Sequence, residues 1–385
     1  MVLTGPEERA RPEEVGASGD MLTIGVEEEF LLVDQDGRLA SDAPEVLREV
    51  SGGRAEMQQE IGRCMVEAAS PVCEGTEQLL YQLRDARARL AATAAEQGLR
   101  LVASGTPVLA EEDFQPLSPN SRYHRMAEHF GAIVATGYTC GCHVHVAIPD
   151  RETGVQVSNH LRPWLPVLLA LTANSPFNDG VDTAYSSWRQ VLWSRWPSAA
   201  PPPMFASLDH YESSVAAMLE AQAMLDRGMI YWFTRLSERN PTLETRVCDV
   251  AGTPEEAALA AALVRGLVGA ALDDIADGRP APTVPGEVLE ANLWRAARDG
   301  LEGSCLDPFG DSLIPVHTAV DRLVSRVRRL LDANGDRDFV DDTLNVLRRT
   351  GGGARRQRTA FARRGRLPDV VDHLAESTSA GLSPV

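Results

Sequence analysis

At 385 residues the chain is long enough for one large domain or two ordinary ones, and 44% hydrophobic with 24% charged residues implies a sizeable globular core. A formal charge of −18 argues against a nucleic-acid partner, because phosphate binding needs clustered cations. Lysine is absent and all 37 basic residues are arginine, which excludes the Walker A loop, the kinase phosphate lysine and Schiff-base catalysis.

Residues 1–20, rich in Glu, Pro and Gly, read as a disordered lead without the apolar run of a secretory signal. No stretch of about eighteen apolar residues is available to span a membrane. Six cysteines (Cys64, Cys73, Cys140, Cys142, Cys248, Cys305) are too sparse for a disulfide framework. A soluble, reduced, cytoplasmic protein is expected, with no membrane partner. Its domain should run over 21–375, followed by a flexible tail at 376–385.

The first strand, "TIGVEEEFLLVD" (23–34), sets three glutamates among strand-favouring apolar residues. Period-two alternation turns Glu27 and Glu29 to one face and Glu28 to the other. Two carboxylates side by side resist burial unless a cation compensates them. They belong either to a solvated edge strand or to a metal site.

An Asp36–Gly37 turn and a helix over 43–50 follow. Residues 56–70 read either as a helix or as two extended runs about a Gly62–Arg63 turn, the latter bringing Glu60 and Glu67 within reach of one sheet face. Two surface glutamates are the plainer alternative. A strongly amphipathic helix covers 76–97 with Gly98 as its stop, and a buried strand covers 99–108.

The strand around "CGCHVHVAIP" puts His143 and His145 on one face, where imidazoles ligate metals or contact anions. Zinc held with Cys140 and Cys142 is conceivable, but structural zinc sites use a second paired element that this chain lacks. Satisfied core histidines are the other reading. Further helices are expected over 156–174, 208–227, 255–276, 317–333 and 337–349, with an ordered loop from Trp188 to Pro203. In the strand "TLETRVCDV" (242–250), Glu244 and Arg246 share a face, as a plain ion pair or as a metal ligand beside a phosphate-facing cation. Strands and helices mix without βα alternation, which suggests an α+β domain with a mostly antiparallel sheet. Carboxylate-rich ligation with a lone histidine suits Mg²⁺ or Mn²⁺ better than zinc.

Taken in order, these motifs resemble the glutamate–cysteine ligase superfamily, and within it the YbdK-type carboxylate–amine ligases related to glutamine synthetase. "GVEEEF", the Glu60/Glu67 spacing ahead of "SPVC", "GCHVHV", "NSPF" (174–177), "YSSWR" (185–189), "LETR", "NLWRAARDGLEG" (292–303) and "RQRTAFARRGRLPDVVDHL" (356–374) carry the resemblance, which spans roughly 22–375. It implies a curved antiparallel sheet with helices on its convex face and an active site in the concave one. It also implies ATP with Mg²⁺ (or Mn²⁺), glutamate as acid substrate and cysteine as the default amine, joined through a γ-glutamyl phosphate. An amine other than cysteine stays open, as does a metal-dependent hydrolase or a non-catalytic cation-binding protein. By position, Glu27, His143 and Glu244 would hold one metal on the ATP phosphates, and Glu29, Glu60 and Glu67 another near the acceptor carboxylate. Arg246 would offset phosphoryl charge, with His145 as a second catalytic group. Arg356 and Arg358 would contact the nucleotide, in an arginine-rich stretch (Arg355, Arg356, Arg358, Arg363, Arg364) that is either a lid or a solvated tail. Relatives suggest a homodimer.

Overall fold

The computed structural model describes residues 21–379 apart from 51, 111–115, 137 and 311, and without the side chains of 135 and 136. The expected N-terminal lead lies outside the described residues. In chain order the first half contains β1 (Ile24–Val33), α1 (Ala43–Glu49), β2 (Glu56–Gln59), β3 (Met65–Ala69), α2 (Thr76–Glu96), β4 (Arg100–Val102), α3 (Ser121–Phe130), β5 (Gly141–Ala147), α4 (Arg151–Leu161) and α5 (Leu165–Thr172). After these come a two-residue hairpin, β6 (Phe177–Asn178) with β7 (Val181–Asp182), then α6 (Trp188–Trp193), α7 (Leu208–Glu220), β8 (Thr234–Leu236) and β9 (Thr242–Asp249). Six helices follow: α8 (Pro254–Ala276), α9 (Gly286–Asp299), α10 (Val316–Asn334), α11 (Arg337–Thr350), α12 (Gly353–Arg364) and α13 (Leu367–Ser379), with one short hairpin between α9 and α10.

The main sheet runs β2-β3-β1-β5-β9-β8, and every pairing is antiparallel. Strand β4 pairs with the far end of β1, beside Leu31–Val33, while β5 occupies Ile24–Glu28 on the same edge. One face of β1 buries Val26, Phe30 and Leu32, and α2 and α8 pack against that strand. Apolar burial of this kind is the main source of stability. Helix α8 is buried on nearly every side. Its Gly266 lets α10 approach closely, because a Cβ there would stand 2.8 Å from the Val327 Cβ. The α+β architecture expected from the motifs is present, with helices covering the face of β1 that bears Glu28.

Several local expectations are corrected. The expected strand over 99–108 is only three residues long, since Thr106 turns its hydroxyl to the Phe177 carbonyl and the chain leaves the sheet. Glu60 sits just beyond β2, in the connection to β3, and is not on a strand. The expected loop after Trp188 begins with α6, whose N-cap Ser187 accepts from the Gln190 amide. Strand β8 and helices α3, α9, α12 and α13 add to the expected elements. Helix α13 also takes in residues 376–379, the start of the expected tail. There Thr378 accepts from the backbone N–H of Ala103, tying the helix to the strand region; residues 380–385 lie outside the described residues.

Candidate active site

Register on the open face of the sheet brings the polar side chains together. Glu27 stands opposite His143 and Gly25 opposite His145; Glu29 stands opposite Glu67; His145 and Arg235 both stand opposite Glu244. In β9, Arg246 and Val247 together face His143, a bulge that re-aims the arginine. Glu28 points the other way, where Arg87 grips it with donors at 3.0 and 2.5 Å and also donates to the Ala251 carbonyl.

The acidic side chains form three overlapping triads whose ligand atoms lie within 4.8 Å of one another: Glu27–Glu67–His143, Glu27–His145–Glu244 and Glu29–Glu60–Glu67. The last is the grouping assigned from the sequence. For the other, it is His145, not His143, that shares a triad with Glu27 and Glu244. His143 lies 3.2 Å from Glu27 through Nδ1 and 3.4 Å from Arg246. His145 lies 3.2 Å from Glu27 through Nε2, while its Nδ1 lies 3.0 Å from the Thr242 hydroxyl.

Electrostatics divide this cluster into two lobes. Burial works against ionisation of Glu27 and Glu244. Hydrogen bonds from His143 and His145 outweigh it at Glu27, and the charges of Arg235 and Arg246 outweigh it at Glu244, so both stay far below the usual carboxylate range. In the other lobe burial prevails. Glu29 is pushed up to about 8 by burial and by neighbouring Glu60, even though the Gly141 amide donates to it at 2.5 Å. Glu60 and Glu67 are raised for the same first reason, with Glu60 adding to the rise at Glu67. Burial and Arg246 push His143 down to about 4, whereas Glu27 and Glu244 raise His145 against its burial. A divalent cation bound there would favour the ionised forms that burial disfavours in these three carboxylates.

The residues fit such an ion. Among the described residues the Nε2 atom of His143 is buried without a hydrogen-bond partner, and the carboxylates of Glu29, Glu60 and Glu67 crowd together. Oxygen-rich ligation with imidazole matches Mg²⁺ or Mn²⁺, and the zinc alternative loses its thiols: Cys140 and Cys142 are buried and neither joins a ligand group.

Comparison with known proteins agrees with this geometry. The family model described as glutamate–cysteine ligase family 2 matches residues 23–373. The chain belongs to that family. A Rhodococcus jostii protein provisionally named glutamate–cysteine ligase 2-1 is 50% identical over 357 residues, covering 93% of this chain and 96% of its own. A provisional glutamate–cysteine ligase 2 from Salinispora arenicola is 44% identical, covering 96% and 98%. Among solved structures, a glutamate–cysteine ligase from Francisella tularensis in complex with AMP superposes with a TM-score of 0.66 at 13% identity, covering 94% of this chain and 90% of that one. A bifunctional glutathione synthetase from Pasteurella multocida gives 0.69 at 14% identity; it covers 93% of this chain, which spans only 52% of that longer protein. These two likenesses concern the fold. As a member of family 2, the chain is an ATP-dependent carboxylate–amine ligase acting on small-molecule substrates. Among the described residues no helix is long and apolar enough to cross a membrane.

The remaining assigned residues of this ligase fall as follows. Arg246 is buried and ion-paired with Glu244, its guanidinium over the Trp193 and Tyr231 rings at 5.8 and 5.9 Å. Arg356 is held by Glu256 and the Gly351 carbonyl, and Arg358 by Asp182 and the Tyr185 carbonyl. Neither contacts the acidic cluster. The arginine-rich stretch is α12, docked through Gln357 on Asn174 and Phe361 on Phe177. Sequence reasoning missed Arg235, whose guanidinium takes both Glu244 oxygens at 2.7 and 3.2 Å. The signal was the alternation in "FTRL", directly before the turn into β9.

Proposed function

We propose that the chain joins the γ-carboxyl of glutamate to the amine of an amino acid, cysteine by default, by way of a γ-glutamyl phosphate. The observation that carries this reading is the convergence of Glu27, Glu29, Glu60, Glu67, His143, His145 and Glu244 into overlapping ligand triads on one sheet face.

A carboxylate is a poor electrophile, so an oxygen of the glutamate side chain attacks the γ-phosphorus of ATP and ADP departs. The amine then attacks the acyl carbon and phosphate leaves. We assign Glu27, His145 and Glu244 to a Mg²⁺ or Mn²⁺ ion on the nucleotide side, and Glu29, Glu60 and Glu67 to another nearer the acceptor carboxylate. Bound there, divalent ions supply positive charge against the phosphate oxygens. The protein's own contribution is preorganisation. Arg235 and Arg246 keep Glu244 ionised, and Trp193 and Tyr231 hold the Arg246 guanidinium where charge develops on the transferring phosphoryl group. The Thr242 hydroxyl at His145 Nδ1 leaves Nε2 turned toward Glu27. Sheltering the acyl phosphate from water prevents its hydrolysis.

A panel of amines with glutamate, ATP and Mg²⁺, read by ADP release and by mass detection of γ-glutamyl products, tests the proposal. ADP release that requires both glutamate and an amine is expected; release without an amine would favour a hydrolase. Preferential conversion of an amine other than cysteine would revise the amine alone.

A further inference from the structure

Glu244, a metal ligand in the assignment above, is already crowded by positive charge. Arg235 takes its Oε2 at 2.7 Å and its Oε1 at 3.2 Å, and Arg246 Nη1 also donates to Oε1. The same Nη1 lies 3.4 Å from His143 Nδ1, so the Arg246 guanidinium sits among the candidate ligand atoms. Like charges this close repel strongly in a buried site. A divalent ion on Glu244 therefore requires one guanidinium to withdraw.

The two arginines are not equally free to do so. Arg235 is tied at its far end, where Nη1 donates to the Gly228 carbonyl at 2.9 Å and to the Ile230 carbonyl at 3.0 Å. Arg246 has no comparable tie among the described residues. Beyond Glu244 and His143 its guanidinium meets the Trp193 and Tyr231 rings at 5.8 and 5.9 Å, and its Nε is buried without a hydrogen-bond partner. Aromatic faces stabilise a guanidinium without fixing its hydrogen bonds. Burial works against the Arg246 charge, and Glu244, Glu29 and Glu27 outweigh it, so this side chain answers to carboxylates of both lobes.

We propose that Arg246 is a placeholder in the acidic cluster. In the metal-free protein its guanidinium fills a divalent ion's place on Glu244, and it gives up that carboxylate for Trp193 and Tyr231 when the ion binds. Arginine and ion thus compete for one carboxylate, and metal binding is what frees the Arg246 donors for the transferring phosphoryl group. This role rests on the metal assignment made under the proposed function.

Titration of the nucleotide-free protein with Mn²⁺, followed by electron paramagnetic resonance, tests the competition without turnover. Arg246→Ala should bind Mn²⁺ at least about tenfold more tightly than wild type, because the binding-competent form no longer has to be freed of its guanidinium. Millimolar guanidinium chloride should then compete in that variant, raising the apparent Mn²⁺ dissociation constant in proportion to its concentration. Sodium chloride at equal strength should not, and wild type should respond to neither. In a second measurement, Mg²⁺ should change the tryptophan emission of wild type, and Trp193→Phe should abolish the change. Equal or weaker Mn²⁺ binding by Arg246→Ala, guanidinium that fails to compete, or wild-type emission that Mg²⁺ leaves unmoved would overturn the placeholder role while leaving the metal assignment in place. Absence of Mn²⁺ binding to wild type would overturn both.

Discussion

Glu28 and Glu29 are neighbours in one strand, both nearly buried, and the protein treats them in opposite ways. Glu28 is 1% exposed and meets a resident guanidinium, Arg87, that satisfies both of its oxygens. Glu29 is 8% exposed and meets other carboxylates, with a single backbone N–H as its hydrogen-bond donor. A buried charge must be compensated. On one face of β1 the compensation is built in, so that face is architecture. On the other the proposed metal ion would supply it, which makes that face the candidate site.

The largest expected effect follows from removing charge on the site face. Glu27→Gln or Glu244→Gln should lower ADP release by at least roughly a hundredfold, the scale of losing one electrostatic element of a phosphoryl-transfer site. Circular dichroism and melting of Glu27→Gln should stay close to wild type, and wild-type turnover in either variant would contradict the assignment.

On the architectural face the effect should appear in stability instead. Glu28→Gln leaves Arg87 buried and unpaired, at a cost of roughly 3–5 kcal/mol. Denaturant unfolding should register that loss, while turnover of the folded fraction remains near wild type. Selective loss of turnover with unchanged stability would reverse the roles of the two faces.

A smaller effect concerns pH. With Glu29 pushed up to about 8 from an ordinary value of 4.5, the folded metal-free protein holds a proton that the unfolded chain has released. Metal-free stability therefore falls as pH rises through that window. Mg²⁺ must displace the same proton, so the rise in Tm that it causes should be larger near about pH 8 than near about pH 6. An equal or larger rise at the lower pH would contradict the lobe assignment. The smallest effect belongs to Arg358→Ala: its pair with Asp182 is partly exposed, and melting should report a loss of less than about 1 kcal/mol.

Much of this was legible in the sequence because period-two alternation is rigid. Once "GVEEEF", "GCHVHV" and "LETR" are strands, the facing of Glu27, Glu29, His143, His145, Glu244 and Arg246 follows. Register is a long-range property, and that is where the reading fell short. Which histidine meets Glu244 depends on how β5 slides against β9 and on a bulge that no local pattern announces. Arg235 escaped notice because β8 has only three residues and draws its order from β9. Helix α12 was hidden by its charge: its arginines resemble a solvated tail until the ion pairs to Glu256, Asp182 and Asp369 are in view.

Titration of the nucleotide-free protein with Mn²⁺, followed by electron paramagnetic resonance, tests the division between the two faces most directly. Wild type and Glu28→Gln should both bind the ion, and Glu29→Gln and Glu67→Gln should lose it while remaining folded. Undiminished binding in Glu29→Gln and Glu67→Gln would show that these carboxylates gather for some purpose other than a metal.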